Sequence, residues 1–311
     1  MAFLRTVLGS ARTTFPGTRP ATWVLRARLV RAALGNRDRL APMLAAPQGS
    51  SLCRQMAGQP DFLGALIWPY QNAGWDTAER LDRISAHHAE IDRLGPPLGF
   101  AVTERLVLAD LGDIHPGAAL VLDQPHWFIR EGGLTLNLFV GSFRAYSLSF
   151  SFFRHDGALA VYIGGVQGRN DDRALDLYRD LTRAFHGIRP RDLLIECLRM
   201  LARHWGVAEI HAVSDAARHH RHPYFGALQG KQTGQDYDLI WQDRGGVPIA
   251  GGSHRLPLGA ERRAIEDIKP NKRSMYRQRY AFLEALETGM TARLAGLTPV
   301  PVVDDDMGVA P

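Results

Sequence analysis

The chain has 311 residues, 45% of them hydrophobic and 22% charged, which supports a substantial core and excludes wholesale disorder. Its net charge is +5, carried almost wholly by arginine, because lysine occurs only at Lys231, Lys269 and Lys272. Two cysteines, Cys53 and Cys197, exclude a disulfide framework and a cysteine metal cluster, and they fit a reducing cytoplasm.

The first 20 residues hold a short apolar run interrupted by Arg5 and Arg12. They do not read as a signal peptide, and no apolar run approaches the roughly 18 residues of a membrane span. The expectation is a soluble cytoplasmic protein without a transmembrane segment. Residues 1–60 carry nine arginines against Asp38 alone. That surface is either a solvated face on core helices or a contact for anionic lipid or an acidic partner.

Residues 1–95 read as a helical N-terminal region. Helical spacing runs through Trp23, Val24, Ala27, Val30 and Leu34, and again through Leu81, Ile84, His88 and Ile91. Gly95-Pro96-Pro97 is the expected boundary to a core domain over 96–290, with 291–311 as a flexible tail. Period-two patterning then predicts strands at 100–108, 120–122, 127–130, 134–139, 146–153 and 158–163. Glu131-Gly132-Gly133 and His155-Asp156-Gly157 are turns between them, and the whole is an antiparallel meander. Helices follow at 171–185 and 190–205, then strands at 209–214 and 237–242 and an extended stretch at 248–258. A basic helix is expected at 260–287, with disorder from Pro299. The fold class is α+β: a helical region packed on an α/β domain with a mostly antiparallel sheet.

The densest cluster of candidate site residues is at 161–192. Gly164, Gly165, Gln167 and Gly168 end a strand, and His186-Gly187-Ile188-Arg189-Pro190-Arg191 opens a helix. Glycines and arginines at such ends suit backbone approach to a phosphate-bearing cofactor. His186 is either a general base or phosphate ligand, or a cap on the preceding helix. Asp236 and Asp238, alternating around Tyr237, are expected on one side of a strand, where they would activate an amine, bind a cationic group or anchor nearby arginines. Glu131 beside Arg130 reads as a surface pair in a turn. His211, His219, His220 and His222 lack helical metal-ligand spacing and have no companion cysteine, so no metal site is expected. Lys269, Lys272, Arg273, Arg277 and Arg279 form a basic surface for a lipid headgroup, a CoA phosphate or nucleic acid, or a solvated face pairing with Asp236 and Asp238. No nucleic-acid motif accompanies it, so nucleic acid is not the expected partner.

Several separated motifs, taken together, resemble the VirK/YbjX family of bacterial proteins, over roughly residues 60–290. They are Arg130-Glu131-Gly132; Tyr146 through Phe152; Ile163-Gly164-Gly165-Val166-Gln167-Gly168; and Thr182 through Leu194. Further on come Ala212-Val213-Ser214, Asp236-Tyr237-Asp238 with Trp241 and Gly245-Gly246, and Lys272 through Tyr280, with His87-His88 earlier. Gln278 departs from a more uniformly arginine pattern. The resemblance implies an intracellular bacterial protein connected with virulence, envelope stress or resistance to antimicrobial peptides. It implies no reaction and no catalytic residues.

The element order also looks like the GNAT-type acyltransferase plan, in which a helix N-terminus holds the pyrophosphate of an acyl-CoA. The loop at 186–192 would supply that cradle. The departure is the helix at 171–185, which intervenes between strand and loop. Two functions stay open. One is an acyl or related group transferase with acyl-CoA as cofactor and a small-molecule or acyl donor. The other is a non-catalytic accessory protein binding a protein partner or an anionic surface.

Overall fold

The structure, a computed structural model, describes residues 2–169, 172–226 and 236–302. Five helices come first: α1 (Ala2–Thr14), α2 (Pro20–Gly35), α3 (Arg37–Leu44), α4 (Ser51–Gly58) and α5 (Thr77–Leu94). Asp76 caps α5, its carboxylate accepting from the Glu79 N–H at 2.8 Å, and Gly95 ends it at φ 71°. Leu81 and Ile84 of α5 join Val7, Leu29, Leu40 and Leu66 in an N-terminal apolar cluster. Ile91, two turns on, belongs to the cluster around the sheet. One helix therefore ties the two cores together.

The meander is β1 (Glu104–Asp110), β2 (Ala118–Asp123), β3 (Leu134–Val140), β4 (Phe143–His155) and β5 (Ala158–Gly168). After α6 (Asp172–Ala184) and α7 (Pro190–His204), β6 (Glu209–Val213) returns parallel to β5. Then come α8 (Tyr237–Asp243), the hairpin β7 (Val247–Ile249) and β8 (Ser253–Leu256), α9 (Arg273–Leu294) and β9 (Val300–Pro301). The sheet order is β7-β8-β6-β5-β4-β3-β2-β1-β9, and β5/β6 is its one parallel pair among the described residues. The fold is α+β with a mostly antiparallel sheet, as the patterning implies.

Both sheet faces are covered. Phe150 and Phe152 of β4 pack on Trp205 at the end of α7. The alternate residues Ser147, Ser149 and Ser151 are buried too, and Ser151 Oγ sits 2.8 Å from the Tyr70 hydroxyl. Buried hydroxyls persist there because each has a hydrogen-bond partner.

Four expectations need correction. Residues 126–128 form a tight 3₁₀ turn instead of a strand, closed by bonds from Phe128 N to Pro125 O and from Ile129 N to His126 O. Residues 237–243 form α8, because the Asp236 carboxylate accepts from the Asp238 and Leu239 N–H groups at 2.9 and 3.2 Å and acts as an N-cap. Asp236 and Asp238 therefore do not share a strand face. The basic helix starts at Arg273, not 260: Pro270 holds Lys269 extended at ψ 134°, so the helix forms beyond it. It runs on to Leu294 because Phe282, Leu286, Met290 and Leu294 repeat every four residues and are buried. Finally, Val300 and Pro301 pair with β1, so the expected disorder does not begin at Pro299; residues 303–311 lie outside the described residues.

Candidate functional site

β5 contacts β6 over only four residue pairs, Ala160–Ile163 against Glu209–Ala212. Beyond Ile163 the two strands part. Just there β5 carries a bulge: Ser149 faces Gly165 and Phe150 faces Ile163, so Gly164 is the extra residue. The parting leaves the Val166 backbone in need of partners. The Tyr237 hydroxyl, at the start of α8, supplies them: it accepts from Val166 N at 2.8 Å and donates to Val166 O at 2.8 Å. Trp241, one turn on, donates its indole N–H to Val213 O of β6 at 2.7 Å. α8 thus fills the gap between the parallel strands.

The bulge makes room for the turn at 126–133. A Cβ on Gly164 would lie 2.1 Å from the Glu131 carbonyl oxygen, and one on Gly165 would lie 1.8 Å from Glu131 Oε2. Gly168 is equally required, since its Cβ would lie 2.5 Å from the Tyr146 ring and 2.6 Å from the Tyr178 hydroxyl. The three glycines admit the chain's own groups, above all the Glu131 side chain. Gln167 donates to Glu131 Oε1 at 3.3 Å.

Glu131 is the unusual residue of this region. Its Oε2 is buried and has no hydrogen-bond partner among the described residues. Burial pushes its carboxyl up to about 8, with the Arg218 charge pulling the other way. Arg218 also lies over the Tyr237 ring, its guanidinium carbon 3.8 Å from the ring centroid. Burial, first, and then the nearby Glu131 charge also raise the Tyr237 hydroxyl, against the opposing pull of Arg218. His219 is held neutral down to about 3 by burial, reinforced by His220, Arg130 and Arg218. Arg130 lies over Trp68, 4.7 Å from its ring centroid. A neutral acid, a phenol and the Arg218 guanidinium therefore meet where β5 and β6 part. Such a set can move a proton and stabilise a developing negative charge.

The loop at 186–192 lies elsewhere on the domain. His186 and Gly187 adopt left-handed φ values of 53° and 82°, and Gly187 N donates to Thr182 O at 2.7 Å. This is a helix-closing turn for α6. The His186 carbonyl accepts from Arg279 Nε at 3.0 Å, and its ring meets Phe282 edge-on. The capping alternative for His186 is therefore what the geometry displays, and His186 does not meet Asp236 or Asp238. Arg189 is exposed at the N-cap of α7, while Arg191 is paired with Asp192 at 2.9 Å. Asp238 accepts from Asp215 N at 3.0 Å, and neither aspartate pairs with the basic helix among the described residues. Arg273 is tied to the Ile268 and Glu266 carbonyls, whereas Lys272 and Arg277 are exposed. Arg279 joins the two basic segments that the sequence lists apart, placing the start of α9 beside the loop before α7.

Glu131 is the residue the sequence reading undervalues, as a surface pair of Arg130. The available signal was local: Glu131 is followed by two glycines and sits between apolar segments, and its Oε2 is buried. Among the described residues, no helix is long and apolar enough to cross a membrane.

Comparison with known proteins agrees with the motif resemblance. A family model described as "Protein of unknown function (DUF535)" matches residues 22–292. The chain is 31% identical over 244 residues to the uncharacterized protein YbjX of Escherichia coli strain K12, covering 76% of this chain and 73% of that one. It is also 31% identical over 205 residues to an uncharacterized protein of Haemophilus influenzae, covering 60% of this chain and 67% of that one. No solved structure matches. With its motifs in order along the sheet and most of its length matched, the chain belongs to the VirK/YbjX family, the DUF535 proteins of unknown function.

Proposed function

We propose that the chain is a group transferase of GNAT-like plan, moving an acyl or related group at the place where β5 and β6 part. The observation that carries this reading is Glu131: a buried carboxyl with an unpartnered oxygen, set against a strand bulge at the divergence of the parallel pair. Meander, bulged glycine strand, crossover helices, parallel strand, short helix and hairpin succeed one another, an order that supports the plan. The helix α6 before α7 remains its departure from it.

In this reading Glu131, once deprotonated, accepts the proton of an attacking amine or hydroxyl. The new bond forms to the acyl carbon, the bond to the thiol breaks, and the departing sulfur takes a proton. Tyr237 supplies it, and the Arg218 guanidinium over its ring steadies the charge on both. The donor is an acyl-CoA, with Arg189 at the α7 N-terminus as its phosphate contact. The setting we propose is the bacterial cytoplasm, in envelope stress, virulence or resistance to antimicrobial peptides. The test is thiol release from an acyl-CoA panel in the presence of amine acceptors. Glu131→Gln should lower kcat by about 100-fold, and the wild-type rate should rise with pH toward 8. A rate that Glu131→Gln leaves unchanged refutes the assignment.

A second reading has its own observation. Leu4, Leu8, Trp23, Val24 and Leu34 are large apolar residues exposed on α1 and α2, each at least 43% accessible, amid Arg5, Arg12, Arg28 and Arg31. That face suits an anionic surface or a protein partner in a non-catalytic accessory role. Trp23→Glu with Arg28→Glu would abolish capture by anionic vesicles and leave thiol release intact. Loss of thiol release in this variant would count against two separate roles.

A further inference from the structure

β4, β5 and β6 border a cavity that Glu131 does not line. Its volume is about 280 Å³, and it is walled by Trp75, Phe153 and Tyr162. At its rim stand His155, Glu209 and His211. Strand geometry brings them together. Glu209 and His211 are two apart on β6, so their side chains project from one face. In the sheet register, His155 lies across from Ala158, and Glu209 lies across from Ala160, two residues along β5. The end of β4 and the start of β6 thus flank the same end of β5.

Glu209 Oε2 is 2.7 Å from His211 Nε2 and 3.1 Å from His155 Nδ1. One donor atom from each of the three residues lies within 4.8 Å of the others. We propose that His155, Glu209 and His211 bind one divalent ion of the Zn²⁺ class, with its remaining coordination position open to the cavity. Two imidazoles and one carboxylate are a donor set suited to borderline first-row ions, and three protein ligands leave a position free. Ligands about 2.0–2.2 Å from a metal stand roughly 3.3–3.6 Å apart around a tetrahedron, so the two imidazoles need only a small shift away from Glu209 Oε2. His155 has room for it, its side chain being 47% accessible.

The two carboxylate oxygens of Glu209 divide their partners. Oε2 faces the imidazoles, while Oε1 faces Arg255 Nη1 at 3.8 Å. Arg83 also borders the cavity, stacked over Phe153 with its guanidinium carbon 4.2 Å from the ring centroid. Two guanidinium groups beside the open position favour an anionic fourth ligand, a hydroxide or an oxyanion. The sequence gives no spacing signal for this site, because His155 and the Glu209/His211 pair come from strands separated by β5, α6 and α7.

The test uses the full chain, stripped by a chelator and dialysed. Calorimetric titration with Zn²⁺ should find one ion per chain, and Co²⁺ should give the visible absorption of a low-coordinate N/O site. His155→Ala, at an accessible strand end, should keep the far-UV circular dichroism and melting temperature and weaken Zn²⁺ by about 100-fold or more. Glu209→Gln should do the same. His219→Ala should leave the affinity unchanged. No Zn²⁺ uptake by the folded wild-type chain overturns the proposal. So does uptake that His155→Ala and Glu209→Gln leave intact, which would place the ion elsewhere. The test is independent of the group-transfer reading, since it needs no acyl donor and no change at Glu131.

Discussion

At the scale of single residues, Glu131 sets the chemistry. Its ordinary pKa lies near 4.5 and burial pushes it up to about 8. The folded chain therefore holds a proton there between those values that the unfolded chain releases. Stability from this group is greatest below about pH 4.5, falls as pH rises through the window and stays low above 8. Glu131→Gln keeps the shape and removes the titration. It should match the wild type near pH 4.5 and be more stable at pH 8.5 by on the order of 2 kcal/mol, measured by urea unfolding at both values. A difference that does not change with pH would mean the carboxyl is not buried in solution. The sequence places Glu131 correctly in a turn, but its burial comes from Gly164 and Gly165, over 30 residues away, which yield the space its side chain enters.

At the scale of elements, most of the fold is legible where periodicity is long. The β2–β5 meander, α6, α7 and β6 fall close to their expected places because alternation or a helical stripe persists over enough residues to fix the type. Short segments mislead. Asp236-Tyr237-Asp238 alternates over three residues, yet the first aspartate is a helix cap and Tyr237, Ile240 and Trp241 lie buried at helical spacing. Removing that cap tests the reassignment. Asp236→Ala should destabilise the protein by about 1 kcal/mol, read from the urea midpoint, because the Asp238 and Leu239 N–H groups lose their acceptor. A strand at this position would be indifferent to the change. Residues 126–131 fail the same way: a tight turn there buries Phe128 without any period.

At the scale of the whole molecule, the sequence foretells a helical region on an α/β layer but not what closes the parallel pair. That depends on α8 returning from beyond β6 so that Tyr237 takes the Val166 backbone groups. Long-range pairing of this kind leaves no local pattern. Of the expected residues, Gly164, Gly165 and Gln167 lie against Glu131 at the parting strands, while Asp236 caps α8, His186 closes α6 and Arg279 reaches the loop before α7. A donor that pairs with the Val166 backbone must first displace the Tyr237 hydroxyl. The most direct measurement is native mass spectrometry of the purified chain, alone and with a panel of acyl-CoAs and nucleotides. The group-transfer account predicts a one-to-one adduct with the mass of a thioester, reduced at least tenfold by Arg189→Ala. A chain that gives no adduct with any thioester contradicts it.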